Sequence, residues 1–68
     1  MSAYKIISVV GTSSKSWEDA TQGAVAAAAK SLRDLRVAKV SEMDVTIDKK
    51  GKVTQYRCKV DISFKYEV

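Results

Sequence analysis

From residue 56 onward, Tyr56, Cys58, Val60, Ile62, Phe64, Tyr66 and Val68 alternate without a break with Arg57, Lys59, Asp61, Ser63, Lys65 and Glu67. A period of two sustained over this length marks a β-strand with one dry face and one wet face. Such a strand cannot stand alone: it needs a pairing partner with the same alternation and an apolar layer over its dry face. The partner lies just upstream. Within residues 36–48, Met43, Val45 and Ile47 alternate with Glu42, Asp44, Thr46 and Asp48, and DKKG at 48–51 forms the turn, with Gly51 able to take a positive φ. The faces agree only when an even-numbered residue of the earlier strand lies opposite an odd-numbered residue of the later one, as a two- or four-residue loop arranges. That register is expected to set Glu42 opposite Arg57 and Asp44 opposite Gln55.

The covering layer is a helix. Ser16, with Asp19 three residues on, reads as an N-cap followed by an acidic residue at the third helical position, and Glu18 and Asp19 complement the positive end of the helix dipole. From Trp17, the residues Ala20, Ala24, Ala28, Leu32 and Leu35 recur at three- and four-residue steps, which predicts one apolar helical face running about five turns. The face is mostly alanine. Alanine has high helix propensity and little bulk, so a sheet can approach such a helix closely. Ahead of it, residues 3–10, AYKIISVV, form a first strand that ends at Gly11, and GTSSKS at 11–16 is the loop to the helix.

The chain has 68 residues, which is one domain, spanning 1–68. A domain this small buries only about 60% of the surface its unfolded chain exposes. One cysteine, Cys58, rules out an internal disulfide, and the absence of His and of any CxxC pair removes a zinc framework. Self-association is the remaining source of stability. No apolar run approaches the roughly 20 residues that cross a bilayer, and no apolar leader follows a basic start, so the chain reads as soluble and cytoplasmic, with no membrane partner. The free cysteine agrees with a reducing compartment. Twelve Lys and Arg against eight acids give a net charge of +4, but these charges are scattered along the chain. They read as solvated faces, and no nucleic-acid partner is expected.

Enzymatic chemistry finds little to work with. With no His, and with Cys58 on the dry face, no nucleophile and base pair can be assembled, and the phosphate-loop patterns GxxxxGK[ST] and GxGxxG are absent. Trp17 reads first as an anchor in the core or at a contact between copies. The acidic run Glu42, Asp44 and Asp48 has an ordinary reading: a Glu opposite an Arg on a half-exposed ladder is a cross-strand pair contributing about 0.2–1 kcal/mol. Asp48 at the turn suits local backbone hydrogen bonding. Calcium wants six to eight oxygens, and the Glu42 and Asp44 of one chain supply at most four, so a metal site here needs neighbouring chains, carbonyls or water.

The order of segments, with GTS closing the first strand, SWEDA opening an alanine-rich helix, LRDLRVAKV leading into the second strand and KVDISFKYE ending the third, resembles the dodecin family over nearly the whole chain. The resemblance implies an α+β fold of β-α-β-β order, a three-stranded antiparallel sheet wrapping one helix, and a hollow homododecamer. It also implies a non-enzymatic shell that stores or sequesters a small ligand. The flavin-binding branch carries a Trp after the LR segment and a Gln on the third strand; the aligned residues here are Val37 and Arg57. Valine offers no π-face and arginine no acceptor, so flavin is not the expected ligand. The SWED start, the RVAKV segment and the EMD run are more similar to the calcium dodecin branch, which implies calcium, with Glu42 and Asp44 as candidate ligands completed by symmetry mates. Two alternatives remain: storage of flavin or another nucleotide cofactor, with Arg57 and Lys59 holding phosphate, and a purely structural oligomer in which Glu42 makes only salt bridges.

Overall fold

The computed structural model describes residues 2–66; Glu67 and Val68, the last members of the alternating pattern, lie outside the described residues. Four elements follow one another: β1 (Ala3–Ser13), α1 (Trp17–Ala29), β2 (Leu35–Ile47) and β3 (Val53–Tyr66). The three strands form one antiparallel sheet in the order β1-β3-β2, so the strongly alternating strand is the central one. This is the β-α-β-β arrangement expected from the sequence. Its dry face carries Cys58, Val60 and Ile62, buried beneath Ala20, Ala24 and Ala28 of α1, and Ile7, Val9, Trp17, Val25 and Leu35 pack around them.

The first strand is longer than its sequence implied. It does not stop before Gly11 but pairs on through Gly11 with Cys58, Thr12 with Arg57 and Ser13 with Tyr56. Gly11 is a point of close approach, not a turn: a Cβ there would run into the carbonyl oxygen of Ala20. Glycine inside a strand can mark such an approach as well as a break. The loop is thereby reduced to the residues between Ser13 and Trp17. Within it the Ser16 hydroxyl accepts from the Asp19 amide at 3.0 Å, the expected N-cap. The Asp19 carboxylate does not complete a capping box; it accepts from the buried Ser13 hydroxyl at 2.7 Å and ties the end of β1 to the first helical turn.

The helix is shorter than its apolar spacing implied. It ends at Ala29, so Leu32 lies past its end and Leu35 opens β2. Asp34, at φ 59°, occupies the left-handed region and turns the chain back toward the sheet, where its carbonyl accepts from the Lys65 amide at 3.1 Å. Leu35 still reaches the core, from a strand. Periodicity registered that it points inward and could not tell which element carries it.

The β2–β3 register is also displaced by two residues from the expected one: Glu42 lies opposite Lys59 and Asp44 opposite Arg57. The parity of the two faces is as expected, because a shift of two preserves it. The cause is the turn. Ile47 and Val53 close the hairpin around a loop longer than four residues, and an irregularity between Thr46 and Ile47 absorbs the mismatch. Asp48 organises this loop, its Oδ1 accepting from the Lys50 and Lys52 amides at 2.8 and 3.0 Å, while Gly51 sits at φ 81°.

Met43 and Ile47 were expected on a covered face, yet they are 55% and 62% exposed in the protomer. The helix lies over β1 and β3 and touches β2 least, and its first residue, Trp17, already stands beside Tyr56. The far end of the hairpin extends past it, giving a protomer 53 Å long and 19 Å wide.

Candidate metal-binding and ion-pair groove

On a central strand whose even-numbered residues face the helix, Arg57 and Lys59 must face away from it. The register then delivers Glu42 and Asp44 from one neighbouring strand and Val10 from the other to the same patch. These five residues line a groove of about 290 Å³ on the open face of the sheet. Of the sequence candidates, Glu42, Asp44, Arg57 and Lys59 are brought together here. Val10 was not anticipated, although its pairing with Lys59 follows once β1 is laid against β3.

The pairs differ in quality. Arg57 grips Asp44 with both arms of its fork, Nε donating to Oδ1 at 2.7 Å and Nη2 to Oδ2 at 3.0 Å. Lys59 Nζ stands 3.8 Å from Glu42 Oε2, at the edge of an ion pair. The Asp44 backbone is held independently, because its carbonyl accepts from the Trp17 indole Nε1 at 3.1 Å while the indole packs edge-on against Tyr56 at 5.1 Å between centroids. Trp17 thus anchors the helix start to the site strand within one protomer.

The hydrogen bonds from Arg57, and secondarily its charge, hold the Asp44 carboxyl below the ordinary value of 3.8, while Asp44 raises the Arg57 guanidinium in turn. A carboxyl depressed by folding stabilises the fold above its unfolded pKa, and that contribution is lost as pH falls through the lower folded value. Acid titration of the Asp44 carboxyl by NMR is therefore expected to give a midpoint below 3.8 in the native protein, moving up in Arg57→Gln. A native midpoint at or above the ordinary value would show that the pair is not formed in solution.

As a cation site the groove is chemically apt and numerically short. Its carboxylates are hard oxygen donors suited to calcium or magnesium, but two carboxylates offer four oxygens where calcium takes six to eight. Among the described residues no cluster of three or more His, Cys, Asp or Glu side chains exists. Two cations also offset the two carboxylates. The donor set fits part of a shared site, not a complete one within a single protomer.

The other candidate pair is not assembled. Val37 lies opposite Ser63, six positions along β3 from Arg57, or about 20 Å at the rise of a strand. Val37 instead borders a shallow groove of about 150 Å³ with Val25, Leu35, Arg36, Ala38 and Ile62. Val37 and Arg57 therefore line separate grooves of the protomer.

A three-stranded antiparallel sheet packed on one helix in β-α-β-β order, with a charged groove on its open face, defines a small α+β domain. The sequence profile of the Dodecin family matches residues 3–67, and the chain belongs to that family. It is 51% identical over 65 residues to the calcium dodecin of Mycobacterium tuberculosis, covering 96% of this chain and 90% of the relative. It is 39% identical over 64 residues to the dodecin of Thermus thermophilus, covering 94% and 91%. The crystal structure of the Mycobacterium tuberculosis calcium dodecin, described as having a novel calcium-binding site, superimposes with a TM-score of 0.84 at 46% identity, covering 96% of this chain and 91% of that one. The Thermus thermophilus protein tt0972 superimposes with a TM-score of 0.91 at 37% identity, covering 100% and 98%. No helix among the described residues is long and apolar enough to cross a membrane.

Proposed function

We propose that this dodecin is a non-enzymatic, self-associating protein, a homododecamer of the cytoplasm, that binds or sequesters a divalent cation, calcium foremost. Glu42 and Asp44 supply part of the ligand set, and neighbouring copies, carbonyls or water supply the rest. The observation that carries this reading is the convergence of the two carboxylates in one open groove, and the similarity to a calcium dodecin supports it. Self-association answers the exposed apolar side chains, among them Ile6 and Val37 at 68% and 63%. It also provides the second chain that an incomplete oxygen shell requires.

Native mass spectrometry of protein purified without added ligand tests the assembly. A twelvefold mass is expected, with an excess matching calcium that disappears on chelation. A monomer or dimer would overturn the shell reading, and an organic ligand mass would favour cofactor storage instead. Thermal unfolding tests the site: calcium at a hundred times its Kd stabilises a native protein by about 2.7 kcal/mol. Glu42→Gln is expected to abolish most of that calcium-dependent rise in Tm, and an unchanged rise would remove Glu42 from the site.

A further inference from the structure

The order β1-β3-β2 leaves the sheet with two open edges, and they are built differently. The β2 edge is broken by register shifts at Leu35/Val37, Val40/Glu42 and Thr46/Ile47, and it carries Arg36, Lys39, Glu42 and Asp44. Irregularities and charges of this kind keep an edge from recruiting another strand. β1 has neither. It pairs with β3 without a shift from Ala3 to Ser13, and its one charged residue, Lys5, is folded over the Tyr66 ring with Nζ 4.5 Å from the centroid. Among the described residues, the side of β1 turned away from β3 makes no backbone hydrogen bond. Tyr4, Ile6 and Val10 stand exposed on its open face. The helix does not block the approach. Val25 lies on the side of α1 toward β2, so Gly23 and Ala27, about 200° around the helix from it, lie on the β1 flank. Both are small and exposed, and nothing lies within 4 Å of a Cβ at Gly23.

We propose that the outer edge of β1 is a self-association surface, to which β1 of a second copy adds antiparallel about a two-fold axis at Ser8, joining two three-stranded sheets into one. This rests on the self-association proposed above and names the surface that carries it. The occupant follows from the strand itself. Ser8 is the middle residue of Ala3–Ser13, so a two-fold axis there pairs all 11 residues, and an isologous pairing needs no other surface. That register sets Ile6 opposite Val10 of the other copy, and Ile7 opposite Val9. Side chains of like parity meet, so each face of the joined sheet stays continuous and the exposed Ile6 and Val10 cover one another. Lys5 meets Gly11, so no like charges are opposed. The Ser8 hydroxyls at the axis are already turned away from it, each donating to the Asp61 carboxylate of its own copy at 2.7 Å. The interrupted β2 edge offers no comparable length of uniform pairing.

Cysteine crosslinking of the full chain tests the register. Directly opposed residues of antiparallel strands have Cα atoms about 4.5–5.5 Å apart, within disulfide reach. Ser8→Cys is expected to convert to a covalent dimer under mild oxidation. Lys39→Cys, on the other edge strand and likewise opposite Asp61, is expected to stay largely uncrosslinked; Cys58 is buried and common to both variants. Native mass spectrometry of the wild type accompanies the comparison. An oligomeric wild type with no crosslink in Ser8→Cys would overturn the edge pairing and leave self-association standing, as would equal crosslinking in the two variants. A monomeric wild type would overturn both. Ile6→Lys gives an independent readout. Ile6 is 68% exposed in the protomer, so the variant is expected to keep its circular dichroism spectrum while setting a lysine against Val10 of the other copy. Sedimentation across a dilution series is expected to show assembly weakened about tenfold or more. An Ile6→Lys protein that assembles as tightly as wild type would overturn the proposal.

Discussion

Gly11→Ala is expected to be the most damaging single-atom addition in this protein, lowering stability by about 3 kcal/mol or more in denaturant titration at fixed protomer concentration. The added Cβ would overlap the Ala20 carbonyl oxygen and stand 3.0 Å from the Ala24 Cβ. Backbone cannot rotate out of the way as a side-chain tip can. Relief requires the helix to lift from the sheet, and lifting it uncovers Cys58, Val60 and Ile62 together. Gly23→Ala is the control. Nothing lies within 4 Å of a Cβ at Gly23, which sits inside α1, so alanine there is expected to stabilise by about 0.5–1 kcal/mol through helix propensity. Near-neutral behaviour at both positions would mean that the helix does not rest on β1 at this distance in solution.

Ile62→Ala is expected to cost about 3 kcal/mol, within the range for emptying a packed site of this size. Ile62 is 1% exposed on the central strand, opposite Ile7 on one side and Ala38 on the other. Its neighbours are strand residues and an alanine-faced helix, which have few long side chains able to collapse into the vacancy. In a 68-residue chain such a loss is a large part of total stability. The groove lies on the opposite face of the sheet, so Ile62→Ala is expected to lower Tm with and without calcium by a similar amount, leaving the calcium-dependent increment in place. A loss confined to the calcium-bound form would instead tie the core directly to the site.

Several features of the fold were legible because they depend on a few adjacent residues. Ser16 starts the helix through a bond to the Asp19 amide three residues away, and Asp48 shapes its turn through bonds to Lys50 and Lys52. The alternation in 56–66 identified the buried and solvated sides of β3 without any knowledge of its neighbours. Other features were read correctly as tendencies and wrongly as elements. Leu35 does point inward, but it does so from β2, and Gly11 does mark something unusual, but that is contact with Ala20 and not the end of a strand.

The candidate site was legible in its members more than in its pairings. Glu42, Asp44 and Arg57 were visible as alternating charged residues, while the pairing of Asp44 with Arg57 depends on a register two residues away from the expected one. Parity could not reveal the difference, since registers separated by two place the same side chains on the same faces. Val10 could not be placed in the groove until the order β1-β3-β2 was known.

The amino-acid sequence by itself determined the order of the elements, the start of the helix, the inward and outward sides of the last strand and the inventory of hard oxygen donors. These follow from side-chain periodicity and capping, which act over a few residues. Only the tertiary structure decided where the helix ends, how closely it rests on β1, and that Arg57 rather than Gln55 faces Asp44. Those outcomes depend on a turn, on strand irregularities and on packing between segments far apart in the chain, whose combined geometry no local pattern encodes.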